Sequence, residues 1–472
     1  MYLTTTQPIR SIPKLKTHIE GLDKILHGGI PQGQTTIING GPGSGKSILA
    51  LQLLYQNVVI EQKKAILINF EERVASIRRN ALTLGWDLTL LEQQQQLLII
   101  DAHQHLKPDI LISGDFTLSG LITLIKKQAQ RMNAQILIID AIDTLLRLFS
   151  HTHQQLQQLQ LLHRSLSELE LTLLITTKTS LDESLFSSIL DYMADCIIYL
   201  DKQWVKQIPI RYLQVTKYRG SGFNQNRHPF AITKEGININ PISDVQLEYN
   251  LLGNKISTGV GQLDQILRGG YPKNSCLLIV GVSGSGKSTL AATLLDQACQ
   301  QGEQVYYVSF EEPAESIIAN MRSCGLDLEV HRQNGQLRFL SLLPESIGIE
   351  EHLIILFREI EQYQPSYLVI DAISAYQRMG NQQLAFDYFI RLWYLCKVKK
   401  LTSIFISQTY TDAEVQTFAQ LEITSLIDVV ITLNLSIQDK AIMRTLLVLK
   451  ARGIGHDNQY QQFKITDTGV KM

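Results

Sequence analysis

Two glycine-rich segments of the 472-residue sequence have residue types and a spacing that suit them to bind phosphate. Each has the form Gly-x4-Gly-Lys-Ser, at residues 40–47 and 281–288. The glycines let backbone N–H groups turn inward around a phosphate, and the positive end of a following helix points to the same place. The Lys would reach the terminal phosphates of a nucleotide, and the Ser would bind Mg²⁺. The predicted ATP-binding residues are Gly43, Ser44, Gly45, Lys46, Ser47 and Ile48 in the first segment and Gly284, Ser285, Gly286, Lys287, Ser288 and Thr289 in the second.

An aspartate ends each of two buried strand-like runs, AQILIID and SYLVID. In a parallel sheet the carboxyl end of a strand faces the ligand crevice. Asp140 and Asp371 are therefore predicted to hold Mg²⁺ together with Ser47 and Ser288. The alternative is that each Asp caps the helix that follows it.

A pair of glutamates follows each of the runs AILINF and VYYVSF. Glu71, Glu72, Glu311 and Glu312 are the candidate catalytic residues, because a carboxylate beside the phosphate loop could orient or deprotonate an attacking water. Acidic residues also favour the first turn of a helix, which is the alternative interpretation. The sequence does not distinguish the two members of each pair.

Two cations precede a glycine late in each half of the chain, as Lys217-x-Arg219-Gly220 and Lys450-x-Arg452-Gly453. Such a pair could contact the nucleotide of a neighbouring subunit, as an arginine finger does. The alternative is a solvated edge strand that bends at the glycine.

All of these motifs occur twice and in the same order. Asp23 and Asp264, like Lys46 and Lys287, are 241 residues apart. A period of this length indicates two duplicated domains, predicted at residues 1–245 and 246–472.

Each half alternates apolar strand-like runs with stretches of helical period, which predicts an α/β fold of two tandem RecA-like P-loop domains. Each domain should have a mostly parallel sheet flanked by helices, followed by a C-terminal β-rich tail. The predicted strands of the sheets are 34–39, 64–70, 97–101, 134–140 and 171–177, then 275–280, 304–310, 337–342, 366–371 and 401–408. The predicted tails comprise 195–200, 211–219 and 228–239, then 428–433, 444–452 and 461–470.

The composition argues against several classes of protein. Lys and Arg number 43 and Asp and Glu number 44, so no overall basic field favours nucleic acid as a partner. The sequence has no run of about 18 apolar residues and no signal-peptide core, which predicts a cytoplasmic protein without a membrane partner. The five cysteines show no CxxC spacing and are expected to be buried, reduced thiols.

The combined motifs resemble the RecA-type ATPases and, within them, most closely the KaiC family of tandem ATPases. The resemblance covers nearly the whole chain and includes FEE after the second strand and KxRG followed by His456-Asp457 and ITDTG. It implies a double-ring homohexamer with ATP between subunits, slow hydrolysis and protein signalling partners. In that assembly Lys217, Arg219, Lys450 and Arg452 would act across the interface. It also implies autophosphorylation in the second domain, at the positions matched by Thr424 and Ser425.

Some residues depart from the pattern of the family. Thr424 precedes Ser425, the reverse of the family order, and Ala141 and Ala372 follow the strand-end Asp where the clock member has Ser. The sequence stops at Met472, directly after ITDTG, so we expect no partner-binding C-terminal tail and a signalling circuit other than the clock. The alternative for both hydroxyls is a turn or cap before the strand at 428–433.

Two competing functions remain open from the sequence. A DNA-dependent ATPase or recombination protein of the RecA type would need a basic, aromatic-bearing loop, for which residues 217–228 are the candidate. A scaffold that uses ATP only to assemble would not need the glutamate pairs.

Overall fold

The computed structural model describes residues 12–102, 118–149, 151–178, 192–205, 208–239, 253–342, 348–375, 382–409, 423–438 and 441–472. They form two compact units; among the described residues the first runs to Ile239 and the second runs from Gly253, except that Val205 and Ile208 are grouped with the second. The predicted boundary between residues 245 and 246 lies outside the described residues.

The strands of the first unit are β1 (Lys14–Leu15), β2 (Ile30–Pro31), β3 (Thr35–Gly40), β4 (Ala65–Asn69), β5 (Leu97–Asp101), β6 (Ile136–Asp140), β7 (Thr172–Lys178), β8 (Cys196–Val205), β9 (Ile208–Tyr218), β10 (Arg227–Thr233) and β11 (Gly236–Ile239). Nine of these strands form one sheet, in the order β11-β10-β9-β8-β3-β7-β6-β4-β5. Strands β8, β3, β7, β6, β4 and β5 are parallel, and β10 runs antiparallel to both β9 and β11. Its helices are Glu20–Ile25, Lys46–Glu61, Val74–Leu82, Leu88–Gln93, Leu118–Met132, Ile142–Leu146 and Thr152–Ser167.

The strands of the second unit are β12 (Lys255–Ile256), β13 (Tyr271–Pro272), β14 (Cys276–Gly281), β15 (Val305–Ser309), β16 (Leu337–Ser341), β17 (Tyr367–Asp371), β18 (Thr402–Gln408), β19 (Val429–Gln438), β20 (Ala441–Ala451), β21 (Gln461–Thr466) and β22 (Gly469–Lys471). They repeat the topology of the first unit, in the order β16-β15-β17-β18-β14-β19-β20-β21-β22. The first six strands in this order are parallel, and β20, β21 and β22 are antiparallel. Its α-helices are Gly261–Ile266, Lys287–Gln300, Ala314–Arg322, Leu328–Gln333, Ile349–Tyr363, Gln382–Val398 and Ile423–Leu426, with a 3-10 turn at Ile373–Ala375.

The central strands are continuously apolar because both faces of each sheet are covered. In β6, Ile138 packs in one hydrophobic core with Leu49 and Leu53 of the helix Lys46–Glu61. Its neighbour Ile139 enters a second core on the other face, with Ile125 of the helix Leu118–Met132. Alternating side chains thus serve two cores, which explains the absence of polar alternation in the sequence.

The predicted fold class is confirmed, and each predicted strand of the two parallel sheets is present within a residue or two. The tails differ from the expectation in one respect. Strand β8 pairs parallel with β3, and β19 pairs parallel with β14, so the tail strands extend the main sheet itself. This placement brings the C-terminal strands of each unit close to its phosphate loop.

The repeated segment before each phosphate loop has a structural role. The Asp23 carboxylate accepts hydrogen bonds from the backbone and hydroxyl of Thr17, at 2.8 and 2.7 Å, and from the backbone N–H of His18. Asp264 accepts the equivalent pair from Thr258, each at 2.7 Å. These carboxylates fix the turn that leads into the first helix of each unit.

Candidate nucleotide site

Each phosphate loop connects a central strand to a long helix, as the sequence predicted. The first loop follows β3 and ends where the helix begins at Lys46. Gly45 has φ 105°, and a Cβ built on it would lie 3.1 Å from Ile232 Cδ1. Gly286 has φ 99°, and its Cβ would lie 2.9 Å from Ile465 Cδ1. Both positions require glycine, because the conformation is left-handed and a strand packs directly against the backbone.

The two loop lysines lie over their own loops. Lys46 Nζ donates to the Gly41 carbonyl oxygen at 2.9 Å, and Lys287 Nζ donates to the Val282 carbonyl oxygen at 2.8 Å. Burial lowers the pKa of both ammonium groups, and nearby carboxylates oppose that shift. A partly desolvated cation in a glycine-rich loop interacts strongly with a phosphate anion.

The strand-end aspartates lie beside the loop serines. Ser47 Oγ donates to Asp140 Oδ1 at 3.1 Å, and the Ser288 hydroxyl also bonds to Asp371. Asp140 does not cap a helix: the N-cap after β6 is Ala141, with no side-chain hydrogen bond. Burial raises the pKa of both carboxyl groups, while hydrogen bonds to these hydroxyls oppose the shift. A buried carboxylate beside a hydroxyl is an oxygen-donor set that suits Mg²⁺, which would stabilise the charged form.

A second hydroxyl donates a hydrogen bond to each aspartate, and the strand that carries this hydroxyl differs between the two units. Thr176 of β7 donates to Asp140 Oδ1, whereas Tyr307 of β15 donates to Asp371 Oδ2 at 2.7 Å. Neither residue could be recognised from the sequence, since neither belongs to a motif that repeats.

The two glutamates of each pair have different partners. Glu71 Oε1 forms a salt bridge with Lys178 Nζ at the end of β7. Glu72 Oε2 instead accepts from Asn80 Nδ2 in the helix Val74–Leu82 at 3.3 Å. The first glutamate therefore faces the strand ends, and the second faces the following helix.

The second unit repeats this division. Glu312 Oε2 accepts from Ser316 Oγ at 2.7 Å and from Asn320 Nδ2 at 3.0 Å. Glu311 lies near enough to Lys287 and Asp371 to act on their charges electrostatically. Neither pair lies within the first turn of a helix, because the helices begin only at Val74 and Ala314.

The Lys-x-Arg pairs lie at strand ends inside the sheet, not at its edge. Strand β9 lies between β8 and β10, and β20 lies between β19 and β21, so the edge-strand alternative is wrong. Arg219 is 50% exposed with Nη1 3.6 Å from Asp195 Oδ1, and Arg452 is 43% exposed with Nη1 3.7 Å from Asp428 Oδ1. Lys217 and Lys450 are half-buried two residues earlier. Both guanidinium groups are anchored at one side and remain accessible at the other.

The Asp428 carboxylate also holds Lys397, whose Nζ lies 2.6 Å from Oδ2; the Asp428 side chain is buried and that of Lys397 is only 11% exposed. We expect Asp428→Asn to lower the free energy of unfolding by about 3 kcal/mol, because it leaves a buried ammonium without its carboxylate. Urea unfolding of the full chain measures the loss. The matched control is Asp195→Asn, which should cost about 1 kcal/mol because its partner Arg219 is half-exposed. Equal losses would contradict this reasoning.

One of the two predicted phosphoacceptors, Ser425, lies next to these cations. Ser425 is exposed in the helix Ile423–Leu426, and its carbonyl oxygen accepts from Arg452 Nη2 at 2.7 Å. Lys450 Nζ lies 3.5 Å from the same oxygen. The side chain of Thr424 lies outside the described residues.

One more cation lies at each loop and belongs to none of the predicted motifs. Arg211 Nε in β9 donates to the Gly43 carbonyl oxygen at 3.4 Å, and Arg444 Nε in β20 donates to the Gly284 carbonyl oxygen at 3.2 Å. Burial lowers the pKa of Arg211. The two arginines are 233 residues apart, the same interval as Lys217 and Lys450, so the repeat could have revealed them.

A cavity of about 360 Å³ opens beside the first loop. Its volume is in the range of small-molecule sites, and it mixes apolar and polar side chains, as a nucleoside pocket would need. Its lining includes Ser47, Ile48, Leu51, Glu72, Asn80 and Thr83.

Each unit has a parallel sheet, a phosphate loop before a helix and an aspartate at the end of the next strand but one. This is the arrangement of P-loop nucleoside triphosphatases, here present twice. A family model described as "ATPase: KaiC" matches residues 15–244 and again residues 256–472. The chain belongs to the KaiC family of ATPases.

Individual relatives agree with this assignment. The circadian clock oscillator protein KaiC of Parathermosynechococcus lividus is 31% identical over 469 residues, covering 98% of this chain and 86% of that protein. The circadian clock protein KaiC2 of a Synechocystis strain is 30% identical over 476 residues, covering 100% of this chain and 83% of its own length. The KaiC clock oscillator protein of a Picosynechococcus strain is 30% identical over 467 residues, covering 98% of this chain and 90% of that protein. These matches do not favour the recombination alternative.

Within the part of the chain that the structure describes, no helix combines the length and apolar character needed to cross a bilayer.

Proposed function

We propose that each half of this KaiC-type ATPase, divided at residues 245/246, binds ATP with Mg²⁺ at its phosphate loop and hydrolyses it slowly in the cytoplasm. One observation carries the proposal: each unit brings a loop lysine, a loop serine, a strand-end aspartate and an exposed glutamate to the carboxyl ends of the parallel strands. These groups supply the phosphate, metal and water contacts that phosphoryl transfer requires.

Ser47 with Asp140, and Ser288 with Asp371, would hold the magnesium ion. The ion neutralises charge on the phosphates when bound. The chain itself contributes the loop N–H groups and the Lys46 or Lys287 ammonium, which orient the phosphates.

The first glutamate of each pair is our candidate for the catalytic carboxylate. Glu71 and Glu311 lie among the charged groups at the strand ends, whereas Glu72 and Glu312 bond to the next helix. A water placed between the first glutamate and the terminal phosphate would lose its proton to that carboxylate.

Lys217 with Arg219, and Lys450 with Arg452, would act on the nucleotide of an adjacent subunit in a homohexamer. The half-exposed guanidinium groups of the two arginines support this role, because they leave donors available beyond their own carboxylate. The relatives' names, which refer to circadian clocks, support a signalling role with protein partners in which slow turnover acts as a timer or switch.

The second unit would also transfer phosphate to Thr424 or Ser425. Incubating the purified protein with γ-labelled ATP and Mg²⁺, while following free phosphate and protein-bound label in one tube, tests this directly. We expect label on the protein that is lost when both Thr424 and Ser425 are replaced by Ala. The matched control is Ser323→Ala, a change to another hydroxyl at the end of a helix in the same unit. Release of free phosphate with no label on the protein would support the ATPase activity and contradict the proposed kinase activity.

A further inference from the structure

The two phosphate loops differ in the side chain that the neighbouring strand places beside them. A Cβ built on Gly43 would lie 3.8 Å from Lys202 Nζ, and one built on Gly284 would lie 3.9 Å from Leu435 Cδ1. Lys202 and Leu435 are 233 residues apart, the interval that relates the two Lys-x-Arg pairs. An ammonium group in the first unit therefore occupies the place of a methyl group in the second.

Strand alternation explains why Lys202 points to the loop. Ile198 and Leu200 of β8 lie in the core that also contains Leu49 of the helix Lys46–Glu61. Lys202 continues this face beyond the core, since side chains at i and i+2 point the same way. The intervening Asp201 points to the other face, where its carboxylate accepts from Arg227 and Gln203.

Lys202 shares the loop with another cation, Arg211, whose Nε donates to the Gly43 carbonyl oxygen. In the second unit the matching positions, Leu435 and Arg444, are direct partners in the β19–β20 ladder. Like charges at facing positions of neighbouring strands repel each other. The repulsion is relieved when an anion lies between them, and a nucleotide phosphate on the loop would be that anion.

We propose that Lys202 is an additional phosphate-binding residue of the first nucleotide site, with no counterpart in the second. This inference rests on the proposed binding of nucleotide at each loop. The extra positive charge gives the first site higher affinity for polyphosphate, and it makes that affinity more sensitive to salt. The first site then fills at a lower ATP concentration than the second.

The test isolates each site and exchanges the two side chains. The probe is the magnesium complex of the non-hydrolysable analogue adenylyl imidodiphosphate, with Kd measured by calorimetry at low and high salt. In the Lys287→Ala background only the first site should bind the probe. There we expect Lys202→Leu to raise the Kd for the probe about fivefold to tenfold. The same change should weaken the salt dependence, and Lys202→Arg should keep both close to the parent values.

The reverse exchange makes the test independent of any folding defect. In the Lys46→Ala background, Leu435→Lys should lower Kd at the second site about threefold and steepen its salt dependence. An unchanged Kd and salt dependence in Lys202→Leu would overturn the inference and leave nucleotide binding itself intact. Failure of the unmodified chain to bind the probe would instead overturn the proposed function.

Discussion

Phosphate release from ATP is expected to fall at least about a hundredfold when Lys46 and Lys287 are both replaced by Ala. Lys46 is half-buried and Lys287 is buried, and each lies at the start of a loop helix, where its ammonium would stabilise charge that develops on the transferred phosphate. Removing one such preorganised donor typically costs a factor of about 10² to 10³ in rate. Release of inorganic phosphate from the purified chain at saturating Mg²⁺ and ATP measures the effect.

The single variants divide the activity between the two units. Lys46→Ala leaves only the second site and Lys287→Ala only the first, so their rates should sum to the parent rate if the units act independently. Lys63→Ala, which removes a lysine just after the helix Lys46–Glu61, is the matched control and should keep full activity. A double variant that retains more than half of the parent rate would show that these loops do not support hydrolysis.

Exchange of the glutamates for glutamine should separate the two members of each pair. We expect Glu71→Gln with Glu311→Gln to lower phosphate release about a hundredfold, because the amide keeps the shape but does not accept a proton. Glu72→Gln with Glu312→Gln should lower it less than about threefold, since an amide oxygen still accepts hydrogen bonds from Asn80 and Asn320.

Nucleotide affinity distinguishes a catalytic loss from a binding loss in these variants. Both glutamate doubles should bind adenylyl imidodiphosphate with a Kd close to that of the parent. If the Glu72 and Glu312 variant loses more activity than the Glu71 and Glu311 variant, the assignment of the catalytic carboxylate is reversed.

Much of the fold could be predicted because its signals are local. The loops at residues 40–47 and 281–288 and the strand-end residues Asp140 and Asp371 each lie within a few residues of an apolar run, so short patterns locate them. The duplication strengthened each prediction, because a chance motif does not recur at an equivalent position.

The parts that could not be predicted depend on partners far away in the sequence. The distinction between Glu71 and Glu72 rests on Lys178, which is 107 residues from Glu71. The loop contacts of Arg211 and Lys202 depend on how β8 and β9 continue the sheet, which the apolar pattern does not determine.

The contact of Ile232 with Gly45 has a consequence for the order in which the protein is made. A loop encoded near the start of the first domain is packed against by β10 (Arg227–Thr233), close to that domain's end. A ribosome must therefore synthesise nearly the whole domain before this packing can form, and the same holds for Gly286 and Ile465. A nascent chain carrying only the glycine-rich segment has a signature motif but no finished site, so ATP can stabilise each domain only once its last strands have been released.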